Sequence, residues 1–312
     1  MITSTLRIPS YDAGITLSVR VKQPKHKTEF TGEDILLFIH GSGSSGCCWD
    51  IPLPGGSWME YAASHGFLAY ALDLRGYGSS TRPRTMLAHP SSAPPYCKTI
   101  DAVCDVTAVV EWILQEHSVD RINLAGWSWG GALAAQFAAE HNDTIARLGL
   151  YAPVHLLETP SPDTNDHYRL IREPAYRESS LLGIPAGREE EIFPSTWFEA
   201  VWQTVLASDP EGASMTPPFM RAPNGCVKDM YDFFSHGKAP YEPSHITVPV
   251  LICVGEWDTI TPVGTALKLF HELTGTRDRR LVVLPESNHF MIHEKNRMML
   301  IKGMHSFFEG NY

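Results

Sequence analysis

Two kinds of hydrophobic pattern follow one another along the chain. Near the N-terminus, TSTLRIP and GITLSVRVKQP alternate apolar and polar residues on either side of SYDAG, which predicts an antiparallel hairpin. The later runs are continuously apolar, and they read ILLFIH, FLAYALDL, RINLAG, RLGLYAP, VPVLICVG and RRLVVLP. Continuous apolarity is typical of strands that are buried on both faces, as in a parallel sheet.

Stretches with helical periodicity lie between these apolar runs. They span residues 57–65, 99–117, 130–141, 263–273 and 293–308. Strands that alternate with helices predict an α/β fold with a mostly parallel sheet covered on both faces. Ligands of such sheets bind beyond the carboxyl ends of the strands. We therefore look for chemistry directly after each apolar run.

The alternation of strands and helices stops between residues 155 and 245. This stretch is rich in proline, glutamate and aromatic residues, and it includes STWFEAVWQTVL and DMYDFFSHG. We interpret residues 155–245 as a helical cap, or lid, inserted into a core domain formed by residues 1–154 and 246–312. A second irregular segment, TRPRTMLAHPSSAPPYCK, is rich in proline and serine, which predicts an exposed loop at the mouth of the site.

Composition limits the classes of partner. The 312 residues are 43% hydrophobic and 19% charged, which is typical of a soluble globular protein. A formal net charge of −10 disfavours nucleic acids and anionic membrane surfaces as partners. The N-terminal MITSTLRIPSYDAG lacks the pattern of a secretory signal, and no apolar stretch is long enough to span a bilayer. The sequence leaves the oligomeric state open.

The six cysteines favour a reducing compartment. They are scattered without the spacing of metal ligands, so we expect no metal site built from them. Cys47 and Cys48 are adjacent, and neighbouring cysteines rarely satisfy the geometry of a disulfide. Free thiols predict a cytoplasmic protein.

The stretch LAGWSWGGALAA contains the first candidate for chemistry, Ser128. This serine lies between the apolar run INLA and a helical pattern, with Gly126 and Gly130 two positions away on either side. Strand, sharp turn and helix are the context in which Gly-x-Ser-x-Gly indicates a nucleophile. A Cβ at either glycine would clash with the crowded turn, and Gly131 lets the helix pack closely on the sheet. The alternative is a structural turn with an incidental serine.

A serine nucleophile requires a base, because its alkoxide is inaccessible near neutral pH. His289 follows the last apolar run directly, so we predict that it is the base for Ser128. His293 is the alternative, but it is the first residue of the final predicted helix, which would place it away from the strand end. Asp258 follows the strand VPVLICVG and is the candidate that orients the imidazole. Glu256 is close in sequence, but Asp258 lies deeper in the loop.

An oxyanion needs N–H donors that are already in place. The backbone N–H of Trp129, directly after the nucleophile, is the first candidate. The second is a backbone N–H of HGSGSSG, either from Ser42 or from Gly43. We expect His40 to support this loop through hydrogen bonds and to take no part in proton transfer.

These motifs, taken in order, resemble those of the α/β-hydrolase superfamily. The matching stretches are HGSG at 40–43, DLRGYGSS at 73–80, GWSWGG at 126–131, GEWDTITPV at 255–263 and SNHF at 287–290. The order Ser128, Asp258, His289 is the order expected of that fold. The resemblance implies eight strands, with the cap after the sixth.

The resemblance also carries expectations for individual residues. It implies that Asp73 and Arg75 brace a turn and take no part in chemistry. Epoxide hydrolases and haloalkane dehalogenases resemble this scaffold but place aspartate where Ser128 stands, so their reactions are disfavoured. In relatives the side chain after the nucleophile lines the pocket, so we expect the Trp129 ring in its wall and Trp127 in the core.

The function that these residues favour is hydrolysis of a carboxylic ester or lactone through an acyl-serine intermediate, without metal or organic cofactor. We expect a small-molecule substrate, and a bulky apolar one if aromatic side chains face the site. A macrolactone, as in the macrolide esterases that share the fold, is one such substrate. The alternative is that most cap aromatics form the core of the cap itself. The substrate-binding candidates are Trp129, Trp197, Trp202, Phe219 and Phe234.

Three alternative functions remain open at this stage. Hydrolysis of a C–C bond in meta-cleavage products uses the same three residue types, and its anionic substrates require basic residues in the cap. An acyltransferase or thioesterase differs only in how water reaches the acyl-enzyme. A ligand receptor built on a hydrolase scaffold is the non-enzymatic alternative. The basic candidates for the first of these are Arg169, Arg172, Arg177, Arg188 and Arg221.

Overall fold

The structure, a computed structural model, describes residues 1–157 and 160–310. In these residues eight strands form the main sheet, in the spatial order β1-β2-β4-β3-β5-β6-β9-β10. The first two pairings in that order, β1 with β2 and β2 with β4, are antiparallel, and from β4 onward every pairing is parallel. The strands are β1 (Ile2–Pro9), β2 (Thr16–Gln23), β3 (Ile35–Ile39), β4 (Leu68–Asp73), β5 (Ile122–Trp127), β6 (Ile145–Tyr151), β9 (Val250–Gly255) and β10 (Arg279–Leu284).

Helices connect the parallel strands and cover both faces of the sheet. Because the central strands lie between two layers of helices, β3, β5 and β9 are buried at every position. The mostly parallel sheet predicted from the apolar runs is confirmed, and so are the eight strands that the resemblance implies. The helices that alternate with the strands are α1 (Trp58–Ser64), α2 (Thr99–His117), α3 (Trp129–Glu140), α9 (Val263–Glu272) and α10 (Arg297–Phe308).

The last helix begins later than the sequence pattern indicates. The pattern predicts a helix from His293, but a short 3₁₀ turn occupies Met291–His293 and α10 starts at Arg297. Glu294, between the two, has an extended backbone with ψ of 177°, which no helix accommodates. The chain after β10 therefore contains a 3₁₀ turn and a separate helix.

Residues 155–245 interrupt the order of strands and helices after the sixth strand, and we call them the inserted segment. Its described part contains an antiparallel pair of short strands in addition to helices, and this ribbon was not expected from the sequence. The elements are β7 (Tyr168–Ile171), α4 (Glu173–Leu181), α5 (Glu189–Ile192), α6 (Ser195–Ala207), α7 (Pro210–Ala213), β8 (Met220–Pro223) and α8 (Gly225–Asp232).

The ribbon of β7 and β8 is bound to the proline-rich stretch 81–98. His167 donates its backbone N–H to Pro90 O over 2.7 Å, and its Nδ1 lies 2.6 Å from Pro94 O. The hydroxyl of Tyr168 donates to Ala88 O over 2.6 Å. Half of the stretch is exposed, and its backbone carbonyls fix the position of the ribbon.

The described residues contain no helix that combines the length and the apolarity needed to cross a bilayer.

Candidate active site

Ser128 occupies the turn between β5 and α3 in a backbone conformation that is rare for a residue with a side chain. Its φ is 57° and its ψ is −119°. Such positive φ values are uncommon outside glycine and concentrate at functional sites. The turn is held on both sides, because Ser128 N donates to Tyr151 O over 2.9 Å and Ser128 O accepts from Gly131 N over 3.0 Å. The conformation is therefore imposed by the strand and the helix that flank it.

The glycines around Ser128 are required by close backbone contacts, as the sequence analysis predicted. A Cβ at Gly126 would lie 2.3 Å from the carbonyl oxygen of Gly130. A Cβ at Gly130 would lie 2.3 Å from that of Ile39, at the end of β3. These distances are far below van der Waals contact, so strand, turn and helix approach this closely only with glycine at both positions.

A cavity of about 360 Å³ opens beside Ser128 at the carboxyl ends of the strands. Part of its wall comes from the loops around the sheet, namely Gly41, Ser42, Gly43, Ser44, Trp127, Ser128, Ile260, His289 and Phe290. The rest comes from the inserted segment, namely Arg169, Leu170, Ile171, Ala175, Tyr176 and Ser179. Ser128 and His289, 161 positions apart in sequence, thus line one cavity, where the rule for parallel sheets places ligands.

Asp258 contacts the imidazole of His289 from the side of Nδ1. Its Oδ2 lies 2.8 Å from Nδ1, and both side chains are almost completely buried. The other carboxylate oxygen accepts the backbone N–H groups of Ile260 and Thr261, over 2.9 and 2.8 Å. Because an ionised carboxylate only accepts, it pairs with the Nδ1–H tautomer of a neutral imidazole, which carries its lone pair on Nε2.

Further contacts hold the His289 loop in place. The carbonyl oxygen of His289 accepts from Trp127 Nε1 over 3.1 Å and from the hydroxyl of Tyr151 over 2.6 Å. The hydroxyl of Thr261 lies 3.1 Å from Nδ1 and 2.9 Å from Asp258 Oδ2. Thr261, Tyr151 and the indole of Trp127 were not assigned to the site from sequence, because each acts through a contact that only the fold creates.

The two sequence alternatives for these positions lie elsewhere. His293 is fully buried against the rings of Trp127 and Phe193, and burial lowers the pKa of its imidazole to about 3. Glu256 is exposed, and its carboxylate accepts the backbone N–H of Glu286 over 3.1 Å. Neither side chain lines the cavity beside Ser128.

The loop after β3 lies directly against the nucleophile candidate. A Cβ at Gly41 would lie 3.1 Å from Ser128 Cβ. Within residues 1–157 and 160–310, the backbone N–H groups of Ser42, Gly43 and Trp129 donate to no protein acceptor. Such N–H groups, close to a serine and without an internal acceptor, are what an oxyanion site requires.

His40 supports this loop in the way that the sequence analysis expected. Its Nδ1 lies 2.7 Å from Gly41 O, and its Nε2 accepts the backbone N–H of Leu74 over 3.2 Å. Burial lowers the pKa of His40 to about 4, so the ring is neutral and donates through Nδ1. His40 therefore ties the loop to the end of β4.

The two tryptophans beside Ser128 both pack in the core, which was expected for Trp127 alone. Trp127 also reaches the cavity and stacks on Tyr151 with ring centroids 5.5 Å apart. Trp129 is fully buried at the start of α3, and its Nε1 donates to Thr99 Oγ1 on α2 over 3.3 Å. The expectation that the Trp129 ring forms the pocket wall is therefore wrong, because the first residue of α3 points towards the neighbouring helix.

The other aromatic candidates for substrate binding also lie outside this cavity. Trp202 packs behind Tyr176, with ring centroids 5.6 Å apart, and Trp197 lies under the guanidinium of Arg297. Phe219 lines a separate cavity beside Met86, and Phe234 is buried against Ala132 and Val154. These side chains form the internal packing of the inserted segment and its contact with the sheet domain. The aromatic wall of the cavity consists of Trp127, Tyr176 and Phe290.

Of the five arginines in the inserted segment, Arg169 alone lines the cavity. Its guanidinium donates to the carbonyl oxygens of Ser42 and Pro223, over 2.6 and 2.7 Å. Arg221 forms a buried ion pair with Asp209, with 2.6 Å between Nη2 and Oδ1. The remaining three contact side chains away from the cavity: Arg172 lies over Phe219, Arg177 over Phe198 and Arg188 over Trp257.

In the part of the chain that the structure describes, no group of three or more histidine, cysteine, aspartate or glutamate side chains is arranged to hold a metal ion.

Comparison with known proteins agrees with the fold. The family model described as "alpha/beta hydrolase fold" matches residues 34–296, which is most of the chain. This chain belongs to the α/β-hydrolase fold family. The resemblance stated from the motifs is thereby confirmed, and so is the fold that it implies.

Individual relatives of this α/β hydrolase are distant in sequence. A pimeloyl-[acyl-carrier protein] methyl ester esterase of Chromobacterium violaceum is 24% identical over 284 residues, covering 85% of this chain and 91% of that protein. A probable lipase of Schizosaccharomyces pombe is 26% identical over 167 residues, which are 53% of this chain and only 36% of that protein. The solved structure of a Paleococcus ferrophilus monoacylglycerol lipase has a TM-score of 0.64 at 16% identity, covering 95% of this chain and 99% of that chain.

Proposed function

We propose that this α/β hydrolase cleaves a carboxylic ester, with Ser128 as nucleophile, His289 as general base and acid, and Asp258 as the residue that orients the imidazole. The observation that carries the proposal is the shared cavity of Ser128 and His289, with Asp258 2.8 Å behind Nδ1. A base oriented by a carboxylate next to a serine in a positive-φ turn is the arrangement that acyl transfer requires.

The reaction follows from these positions. His289 Nε2 takes the proton of the Ser128 hydroxyl as Oγ attacks the ester carbonyl, and the oxyanion receives N–H groups from Trp129 and from Ser42 or Gly43. The tetrahedral intermediate expels the alcohol, which leaves with the proton from Nε2, and an acyl-serine remains. A water molecule then gives its proton to Nε2 and attacks the acyl group. Collapse of the second intermediate releases the acid and restores the Ser128 hydroxyl.

The size and lining of the cavity indicate the substrate class. About 360 Å³ is near the lower end of the range for small-molecule sites, and Leu170, Ile171, Tyr176 and Phe290 make much of the wall apolar. We therefore propose a small or slender ester with an apolar acyl or alcohol group. This volume favours such an ester, or a lactone of similar size, over the bulky macrolactone considered from sequence.

Hydrolysis of a C–C bond in an anionic substrate is the second candidate, because Arg169 faces the cavity. Its guanidinium already donates to the carbonyl oxygens of Ser42 and Pro223 and to Asn224 Oδ1. Since these contacts engage both terminal nitrogens, the residue is less suited to bind a substrate carboxylate. The arrangement supports ester hydrolysis more strongly.

We also propose that the inserted segment acts as a cap over the site. Leu170, Ile171 and Tyr176 of this segment line the cavity together with the loops of the sheet. A cap of this kind excludes bulk water from the acyl-serine and selects the substrate by shape.

The experiment that tests the proposal is mass spectrometry of the intact protein during turnover. We expect p-nitrophenyl esters with short to medium acyl chains to be hydrolysed, and a rapidly quenched sample to carry one acyl group on the peptide that contains Ser128. A simple lactone and a meta-cleavage dienoate belong to the same panel. Turnover of the dienoate alone, or acylation of another residue in a turnover-competent sample, would contradict the assignment.

A further inference from the structure

The carbonyl oxygen of Ser42 receives hydrogen bonds from two separate parts of the molecule. The hydroxyl of Tyr77, in the turn after β4, donates to it over 3.1 Å. Arg169 Nη2, on β7 of the inserted segment, donates to it over 2.6 Å. Ser42 lies in the loop that contacts Ser128, so one backbone carbonyl beside the nucleophile is fixed from the core and from the cap side at once.

The guanidinium of Arg169 is itself held rigidly. Its Nη1 donates to Pro223 O over 2.7 Å and lies 3.2 Å from Asn224 Oδ1, where Pro223 is the last residue of β8 and Asn224 follows it. Because a guanidinium is planar, contacts at Nη1 fix the direction in which Nη2 points. The ribbon that carries Arg169 is bound in turn to the carbonyls of residues 88–94 through His167 and Tyr168. Hydrogen bonds therefore hold this contact on the side of the inserted segment as well as on the side of the core.

The Ser42 carbonyl controls both candidate oxyanion donors of the loop. The peptide between Ser42 and Gly43 is planar, so fixing its oxygen also fixes the direction of the Gly43 N–H. The hydrogen bonds to this oxygen also restrain the ψ angle of Ser42. That angle sets the direction of the Ser42 N–H relative to the peptide plane. Donors to an oxyanion are effective only when they are already oriented before the charge develops.

We propose that Arg169 is a positioning residue, which acts on the reaction through the Ser42 carbonyl and holds the loop in the orientation that receives the oxyanion. This proposal rests on the proposed ester hydrolysis. It assigns to the inserted segment a role in rate as well as in substrate selection. A guanidinium that binds the substrate directly is the competing explanation, because Arg169 also faces the cavity.

The test compares Arg169→Met with Arg172→Met, which removes an exposed arginine of the same segment that lies over Phe219. The substrate is neutral p-nitrophenyl butyrate, and the second probe is an alkyl trifluoromethyl ketone, whose adduct with the serine carries an oxyanion. We expect Arg169→Met to lower kcat by roughly 10–100-fold with KM changed by less than about threefold. The inhibition constant of the ketone should rise by a similar factor. Arg172→Met should leave all three quantities within about twofold of the wild type.

Two further variants exclude a merely structural effect. Arg169→Lys can still donate to Ser42 O, but it lacks the second nitrogen that contacts Pro223 and Asn224. Its kcat should therefore lie between those of the wild type and Arg169→Met. Tyr77→Phe removes the other donor to the same carbonyl while the buried ring remains. Because both donors act on one oxygen, the loss in the double variant Tyr77→Phe/Arg169→Met should differ from the product of the single losses by more than about threefold.

The outcomes separate this proposal from the proposed function. Absence of Ser128-dependent turnover in the wild type would overturn ester hydrolysis itself. With wild-type turnover present, a raised KM at unchanged kcat would show direct substrate binding by Arg169 and overturn the positioning role. An unchanged inhibition constant for the ketone, or strictly multiplicative losses in the double variant, would overturn it as well.

Discussion

The loops at the strand ends and the inserted segment meet at one cavity, but they supply different kinds of group. Ser128, Asp258 and His289 come from the sheet side, and each is held by hydrogen bonds from backbone groups or to its own backbone. Leu170, Ile171 and their neighbours come from the inserted segment and offer mainly apolar side chains. The groups that we propose as reactive are thus fixed by the register of the sheet, whereas the enclosure is fixed by packing between segments.

This difference predicts which kinetic quantity each region controls. In the proposed reaction, a substitution of Ser128, Asp258 or His289 removes a group that acts in the transition state, so it should lower kcat. A substitution of an apolar residue in the inserted segment changes contacts that substrate and transition state share, so it should change KM and selectivity. Arg169 is the exception that we propose, because it reaches the sheet side through Ser42.

The largest expected effect distinguishes two serines in the same cavity. Ser128 belongs to the sheet side and Ser179 to α4 of the inserted segment. Ser128→Ala should lower kcat by roughly 10⁴-fold or more while the thermal unfolding temperature stays close to that of the wild type. Ser179→Ala should change kcat by less than about threefold. Steady-state kinetics with p-nitrophenyl butyrate measure both, and residual activity of Ser128→Ala at the level of Ser179→Ala would refute the nucleophile.

The sheet side could largely be predicted from the sequence. Continuous apolar runs give the strands, and the position directly after each run places Ser128, Asp258 and His289 at one edge of the sheet. The glycines around Ser128 follow from steric crowding that the motif itself implies. Periodicity sets these features, and periodicity is visible in a single chain.

The inserted segment could be predicted only as a region. Whether Trp202 or Tyr176 faces the cavity depends on how α4 and α6 pack together, and no local pattern encodes that choice. The burial of the Trp129 ring has the same origin, since its indole N–H donates to Thr99 on α2, 30 positions earlier in the chain. Arg169 could be recognised as a basic candidate, but its acceptor at Ser42 is set by tertiary structure.

A moderate effect should sharpen the role of the inserted segment. Ile171, at the end of β7, lines the cavity, and Ile171→Ala enlarges it by the volume of the lost side-chain carbons. We expect the ratio of kcat/KM between longer and shorter p-nitrophenyl esters to rise by roughly 10-fold, because a hydrophobic pocket discriminates by about 1–3 kcal/mol per methylene. Met215→Ala, at an exposed position of the same segment, is the matched control. A fall in kcat for every ester without a change in selectivity would contradict the division between the regions.

The smallest effect concerns the place where the two regions are joined behind His289. Asn288 donates its side-chain N–H groups to the carbonyls of Ser180 and Leu182, over 2.8 and 3.0 Å, and its backbone N–H to the carboxylate of Glu294. Burial, which the charge of Asp258 reinforces, raises the pKa of Glu294 from 4.5 to about 8, against the opposing effects of the Asn288 N–H and of Lys295. Glu294 is therefore protonated in the folded protein over a range in which it is ionised in the unfolded chain.

Glu294 should make the folded state less stable as the pH rises. Because the folded state binds this proton more tightly, the contribution to stability is complete below about pH 4.5 and is lost as the pH rises to about 8. Glu294→Gln keeps an oxygen acceptor for Asn288 but does not ionise, so its unfolding temperature should fall less than that of the wild type between pH 5 and pH 8, by roughly 2–4 °C. Glu199→Gln, at an exposed position of α6, removes the same charge and should follow the wild-type curve.

The neighbouring His293, whose pKa burial lowers to about 3, acts equally in all three proteins and cancels in the comparison. Parallel curves for Glu294→Gln and the wild type would show that the carboxyl is ionised in the fold and that the junction does not depend on its proton.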